Sequence, residues 1–441
     1  MSGFDRKQTP KTRPMPQKRT ALVACLDIGT SKIACMIARL KPCPPSEALR
    51  GRSHAVELIG YSQIQSRGVK AGAVVDLAGC EQSVRQAVAL AEEMARVRVE
   101  SVLLSVSAGR LQAQLIEAAS DIKGATVAAS DVARITSAGM HHATGEGRTV
   151  LHALPVGYSI DGVKGIRDPK GMVARQFGVD MNVVTADATV AKNLMLVVER
   201  CHLNVEAMAA SPYVAGLSVL ADDEGDLGAA VVDMGAGTTT IAVFAGGRFV
   251  HSEGFALGGH NVTLDLARGL NASVADAERI KTFYGSVLVG GSDERDMITV
   301  PVIGEDERDH AQFVPRSALV HIIKPRVEEI LEMVRDRLKA SSFATEARGR
   351  VIVTGGASQM TGLPELASHI FGRPVRIGRP LGIAGLPEAA KGAAFAVATG
   401  LLVYPQAAHL EYFETRSKRF LRSGTGGGYL ARVGQWLRES F

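Results

Sequence analysis

Ala229-Ala230-Val231-Val232-Asp233-Met234-Gly235-Ala236-Gly237-Thr238-Thr239-Thr240-Ile241-Ala242-Val243-Phe244 reads as a strand, a tight turn and a second strand. Apolar and β-branched residues flank a turn built on Gly235 and Gly237. Glycine lets backbone N–H groups approach a phosphate where a Cβ would intrude. Asp233 closes the first strand, where a carboxylate suits a hydrated Mg²⁺. Thr238 and Thr239 bring hydroxyls for phosphate oxygens. The pattern recurs once, in Leu22-Val23-Ala24-Cys25-Leu26-Asp27-Ile28-Gly29-Thr30-Ser31-Lys32-Ile33. Two copies in two halves of a chain imply a duplicated α/β fold that clamps a nucleotide from both sides.

Composition bounds the rest. The 441 residues are too many for one ordinary domain and imply two lobes with inserts. A net charge of +5 is too weak, without a basic patch, to argue for nucleic acid, and none is expected as a partner. Cys25, Cys35, Cys43, Cys80 and Cys201 form no CxxC pair and no metal spacing, and read as reduced cytoplasmic thiols. His141-His142 lies in a polar stretch and reads as surface. No secretory signal is expected. Residues 1–19 are basic and Pro-rich, and read as a disordered tail. The longest apolar run, 393–404, is shorter than the roughly 20 residues that span a bilayer and reads as a buried helix.

Further along, residues 77–96 carry Val84, Ala87, Val88, Ala91 and Met94 at helical spacing. The alternation over 99–107 predicts a strand opening a small α+β insert that runs to about 184. Within it a helix over 130–140 is expected, N-capped by Ser130, then a strand over 148–160. Residues 188–201, 209–220, 258–270, 274–284 and 317–339 are expected to be helices. Pro325 sits early in the last one, where proline is best tolerated if that helix starts near Lys324. Arg350-Val351-Ile352-Val353-Thr354-Gly355-Gly356-Ala357-Ser358 is a buried strand ending in a double glycine, where an α/β fold accepts a ligand.

These three pieces, in this order, resemble the actin, Hsp70 and sugar-kinase ATPase superfamily, and within it the FtsA family of bacterial cell-division proteins. Ser66-Arg67-Gly68-Val69-Lys70-Ala71-Gly72, Arg148-Thr149-Val150-Leu151-His152, the run from Asp161 to Met172, and Ala277-Glu278-Arg279-Ile280-Lys281 carry the closer likeness. The resemblance implies an actin-like duplicated two-lobe ATPase fold. Lobe I would be 20–98, 185–220 and 384–404, with the inserted α+β subdomain at 99–184. Lobe II would be 221–383, with a subdomain at 251–316. The expected cofactors are ATP and Mg²⁺. Asp27, Gly29, Thr30, Ser31 and Lys32 would form the first phosphate loop, and Asp233, Gly235, Gly237, Thr238 and Thr239 the second. Asp27 and Asp233 would hold Mg²⁺ through water. Gly355, Gly356 and Ser358 would line the adenosine, with Glu278 and Lys281 near the ribose and base. Superfamily ATPases place a Glu or Gln near the segment Ala209-Ala210-Ser211-Pro212-Tyr213. That segment has neither, so no catalytic residue is assigned and slow turnover at most is expected.

Residues 405–428 are polar, charged and then Gly-rich, which suits a flexible linker. In 429–441, Leu430, Val433, Trp436, Leu437 and Phe441 fall on one helical sector of about 140°, with Arg432 and Arg438 on either side. Trp436 is the only tryptophan of the chain. Such a helix suits the headgroup region of an anionic membrane. Docking on the protein's own core or in a partner's groove competes with that reading. The glycine-rich linker argues against a core helix, which rarely needs one.

The FtsA resemblance favours the membrane. It implies a peripheral protein on the cytoplasmic side of the inner membrane at the division site. Its partners would be the FtsZ C-terminal tail, docking over 251–316, further copies of itself, and later division proteins through the inserted subdomain. The alternative is an actin-like scaffold of pilus or secretion machinery.

Overall fold

The computed structural model describes residues 9–11, 15, 18–44, 46, 49 and 51–411, apart from 109, 123–125, 144, 222, 302–310, 346 and 348. The expectations for the basic tail fall mostly outside these residues. Those for residues 412–428 of the linker and for the segment 429–441 fall wholly outside them. The linker's expected start is corrected: helix Ala396–Ala407 runs buried through Pro405 into the turn Ala408–Leu410.

Two sheets share one plan. The first runs Asn204–Ala210, Ser101–Val106, Ala21–Ile28, Lys32–Pro42, His54–Gln65, with Ile383–Ala384 on its edge. The second opens Val375–Ile377, Arg350–Thr354, Ala229–Met234, Thr239–Ala245, Arg248–Phe255. In both, two strands lie parallel to a central strand, which then turns into an antiparallel hairpin and a third antiparallel strand. The central strand Ala229–Met234 is buried throughout, as expected of a strand covered on both faces.

The strand at Ser101–Val106 corrects the expected opening of the insert. It pairs in parallel with Ala21–Ile28 and Asn204–Ala210, so it belongs to the first lobe, and the insert starts after it. Residues 204–210 form a strand, and the helix expected from 209 starts at Ser211. In the insert, Gln112–Asp121, Gln176–Asp187, Arg148–Ile160 and Val163–Ile166 form antiparallel pairs, with helix Ala129–Ala143 against them. Ser130 lies inside that helix, and the Asp131 carboxylate accepts the Ala128 N–H instead. The insert has its own core, including Phe177, Met181 and Ile135. Its sheet continues the second sheet through the pair Glu253 and Gln112.

Helix Leu77–Ala95 buries Val84, Ala87, Val88 and Ala91, but Met94, next to the helix's last residue and its left-handed cap Arg96, is exposed. Pro325 sits in the interior of helix Arg316–Ala340, which begins eight residues earlier than a Pro-led start would allow.

Helices Ser211–Val219 and Ala396–Ala407 cross inside the protein. A Cβ on Gly400 would lie 1.8 Å from the Val214 carbonyl oxygen, so only glycine permits this approach. The hydroxyls of Ser218 and Thr399 meet at 2.8 Å beside the crossing. Ala393–Leu410 is long and apolar enough to cross a membrane by length and composition, yet 83% of it is buried here, as a core helix.

Candidate nucleotide site

The two glycine turns are copies of each other in hydrogen bonding. Gly29 N–H donates to the Lys32 carbonyl at 3.0 Å, and Gly235 N–H donates to the Thr238 carbonyl at 2.9 Å. Each turn joins a central strand to its hairpin partner, so both open at equivalent ends of the two sheets. They also touch. A Cβ on Gly237 would lie 2.5 Å from Thr30 Oγ1 and 2.8 Å from Ala71 Cα. Thr30 Oγ1 accepts the Gly72 N–H at 3.0 Å, which adds the Gly68–Gly72 loop to the same junction.

The double-glycine turn reaches the same place. A Cβ on Gly355, which has φ +87°, would meet Asp233 Oδ1 at 2.4 Å. Gly355 N–H donates to the Ala393 carbonyl at 3.1 Å, tying lobe II to the chain that returns to lobe I. Gly259 closes the arrangement. Its N–H donates to the Gly235 carbonyl at 2.9 Å, and Lys281 Nζ donates to its carbonyl at 3.0 Å. Lys281 also donates to Thr263 Oγ1 and Glu278 Oε2, at 2.8 and 2.7 Å. Burial works to raise Glu278, but Lys281 and Thr263 together hold it below the usual carboxylate range.

Asp27, Asp233 and Lys32 form the charged centre. Burial first, then the Asp27 charge, pushes Asp233 up to about 7 against the pull of Lys32. Burial also raises Asp27, opposed by a 2.7 Å hydrogen bond from Ser105 Oγ and by Lys32. Lys32 is lowered to about 8 by burial, against both carboxylates. Its Nζ donates to the Ala394 carbonyl at 2.5 Å and lies 3.4 Å from the centre of the Phe395 ring. Two buried carboxylates face a single buried lysine, and the mutual repulsion that raises Asp233 shows that one cation does not satisfy both. A divalent cation answers that need, and N–H-rich turns beside it suit phosphate oxygens. The residues present therefore fit a magnesium nucleotide.

Most of the residues singled out from sequence converge here, but two have other work. Thr239 is fully buried, and its hydroxyl donates to the Leu257 carbonyl at 2.8 Å, which corrects its reading as a phosphate ligand. Thr238 ends the turn and Thr239 opens the strand, so only the first belongs to the turn itself. Ser358 Oγ donates to the Gly355 carbonyl at 2.8 Å and is buried, so it shapes the double-glycine turn. Ser105, Phe395, Gly259 and Thr263 were not singled out. Ser105 follows from the parallel register, which no local pattern announces. The segment Ala209–Tyr213 spans a strand end and a helix start, and the Ser211 hydroxyl is buried there without a hydrogen-bond partner among the described residues.

Two matching sheets, two matching turns and a third glycine turn define an actin-like ATPase fold. Solved structures agree: a PilM–PilN type IV pilus biogenesis complex matches at TM-score 0.60 and 16% identity, covering 87% of this chain and 98% of that one. MreB5 of Spiroplasma citri bound to ADP matches at TM-score 0.53 and 13% identity, covering 89% and 98%. At such identities the likeness concerns the fold. Sequence comparison is more specific. The family described as "Cell division protein FtsA" matches residues 230–400, and "SHS2 domain inserted in FTSA" matches 108–185. The cell division protein FtsA of Agrobacterium fabrum is 51% identical over 432 residues, 98% of each chain. That of Escherichia coli K12 is 32% identical over 429 residues, covering 95% of this chain and 98% of the relative. The chain belongs to the FtsA family of cell division proteins.

Proposed function

We propose that this protein is an ATP·Mg-binding, actin-like adaptor that attaches the division polymer FtsZ to the cytoplasmic face of the inner membrane. The observation that carries the reading is the convergence of both phosphate turns, the double-glycine turn and the Lys281–Glu278 pair on one junction, in a chain of the FtsA family. Asp27 and Asp233 would hold Mg²⁺ through water. The turn N–H groups at 29–32 and 235–238 would hold the phosphates, and Gly355, Gly356, Glu278 and Lys281 would surround the nucleoside. The bound nucleotide supplies a ligand shared by two lobes. It fixes their relative angle, which favours self-association into a filament or oligomer.

The partner assignments rest on exposed apolar surface and on the tail. Phe283 and Phe313, in the 251–316 region, are 74% and 66% exposed, which suits capture of the FtsZ tail. Val163 and Val173, in the insert, are 66% and 75% exposed, which suits contact with another copy or with later division proteins. Leu430, Val433, Trp436, Leu437 and Phe441, flanked by Arg432 and Arg438, would enter the headgroup layer of anionic lipid. So short a helix binds reversibly, and several copies in one assembly hold far better than one. The pilus-scaffold alternative has only a 16% identical fold likeness behind it.

Flotation with anionic liposomes tests the reading. With ATP·Mg the full chain should float and a chain ending at Gly428 should stay in the dense fraction. Equal behaviour of the two would remove the membrane assignment.

A further inference from the structure

A cavity of about 590 Å³ lies on the protein away from the glycine turns. All three units wall it. Leu154 and Tyr158 come from the insert, Tyr213 and Leu217 from the first lobe, and Phe244 and Phe249 from the second. The floor is aromatic: the Tyr213 ring stacks on Phe249 with centroids 4.6 Å apart. Tyr213 is buried, and its hydroxyl has no hydrogen-bond partner among the described residues. Arg167, Arg248 and Asp226 add charge of both signs around these walls.

The chain itself leads to this cavity. His409 and Leu410 line it, and Glu411, the last described residue, is pinned beside it. Glu411 Oε1 pairs with His152 Nδ1 at 2.8 Å, and Lys11 lies 3.5 Å from the other carboxylate oxygen. The His152 ring packs edge-on against Tyr213, 4.9 Å between centroids. The root of the C-terminal tail is therefore fixed at the cavity wall.

We propose that, away from lipid, the segment 429–441 folds back into this cavity, with Trp436 as the anchor. Reach permits it. The 17 residues 412–428 give a root-mean-square span of about 23 Å for a flexible linker, measured from a root already at the rim. Tethering at that distance gives an effective concentration of roughly millimolar, so a weak docking site is filled. Chemistry permits it as well. The cavity is within the ordinary size of a small-ligand pocket. An indole brings a large apolar ring suited to the aromatic floor of Phe244 and Phe249, and one N–H that the polar rim can accept. Arg432, Arg438 and Glu439 bring both signs to a rim that carries both.

The consequence rests on the reading of 429–441 as the lipid-binding segment, although the docking does not. The same apolar face serves cavity and bilayer, so docking competes with membrane attachment. A single copy would hold its tail in, and a membrane offering many contacts would draw it out. Because the walls come from three units, a change in their relative angle changes the cavity. The tail's release is thereby coupled to lobe closure.

Trp436 makes the test direct, because it is the only tryptophan. Emission and acrylamide quenching are read on the lipid-free full chain, over a dilution series. The expected result is blue-shifted emission and quenching several-fold weaker than for a free indole, both independent of concentration. Gly225→Phe fills the cavity where an added Cβ has no atom nearer than 4.0 Å, and Leu410→Asp puts charge on its rim. Both should move emission to the red, raise quenching several-fold and strengthen anionic-liposome binding a few-fold, with nucleotide binding retained as a check on folding. Solvent-like emission in the parent chain overturns the proposal. So does blue emission that both variants leave unchanged, or that dilution abolishes. A chain that shows the docking signature but binds no liposomes in either variant leaves the docking standing and removes the membrane reading.

Discussion

Thr30 and Gly237 hold the two halves of the site against each other. Thr30 Oγ1 lies where a Cβ on Gly237 would come within 2.5 Å of it, and it also accepts the Gly72 N–H. One hydroxyl thus sits at the meeting of the first phosphate turn, the second phosphate turn and the Gly68–Gly72 loop.

Gly237→Ala must push the turns apart. ATP·Mg affinity is expected to fall about tenfold or more, which corresponds to ~1.4 kcal/mol, and stability by about 1–3 kcal/mol. Calorimetric titration and urea unfolding measure the two. An affinity equal to the parent's would show that this contact does not shape the nucleotide site.

Asp233 gives a pH signature in protein free of nucleotide and magnesium. Its folded value of about 7 is above the ordinary 3.8, so the folded chain keeps a proton that the unfolded chain releases. The stability from this group is fully present below its ordinary value and is lost as pH rises through about 7. Lys32, held at about 8 against an ordinary 10.5, carries a cost below pH 8 that is relieved above it. Asp233→Asn is therefore expected to stabilise the ligand-free protein at pH 8 relative to pH 5, by ~1–2 kcal/mol. The same change should weaken magnesium-dependent nucleotide binding. Unfolding curves of parent and variant at both pH values decide it, and a pH-independent difference would contradict the buried-charge account.

Lys281→Met removes three hydrogen bonds at once, to Gly259, Thr263 and Glu278. Glu278 is left partly buried without its cation. Adenine nucleotide affinity is expected to drop about tenfold. Competition between ATP and GTP should show the loss falling mainly on ATP, and equal losses for both would take Lys281 away from the base.

Gly400→Ala should be among the most damaging single changes, because its Cβ would overlap the Val214 carbonyl. A loss of about 3 kcal/mol or more is expected, or failure to fold. Thr399→Ala, which removes the hydroxyl that meets Ser218 at 2.8 Å and donates to the Phe395 carbonyl at 2.7 Å, along with a buried methyl, should cost about 1–2 kcal/mol. Urea midpoints order the two, and a mild Gly400→Ala would mean that the helices can separate freely.

The sequence was most legible where chemistry is local. Asp27 to Lys32 and Asp233 to Thr238 each place a carboxylate, glycines and hydroxyls within one turn, and the structure brings both copies together. It was least legible where pairing is distant. Ser101–Val106 joins the first lobe through parallel partners on two other segments, so its alternation alone could not tell lobe from insert. Asn204–Ala210 is rich in alanine, and its helix-favouring composition is overridden by its place beside Ser101–Val106. Phe395 meets Lys32 from more than 360 residues away, and nothing near either residue announces the other.

The central claim is that this chain links FtsZ to the membrane. Flotation of purified FtsZ with anionic liposomes and ATP·Mg tests it most directly, in the presence of the full chain or of a chain ending at Gly428. The account predicts that FtsZ floats only with the full chain. FtsZ left in the dense fraction while the full chain floats, or floating equally with the shortened chain, would contradict it.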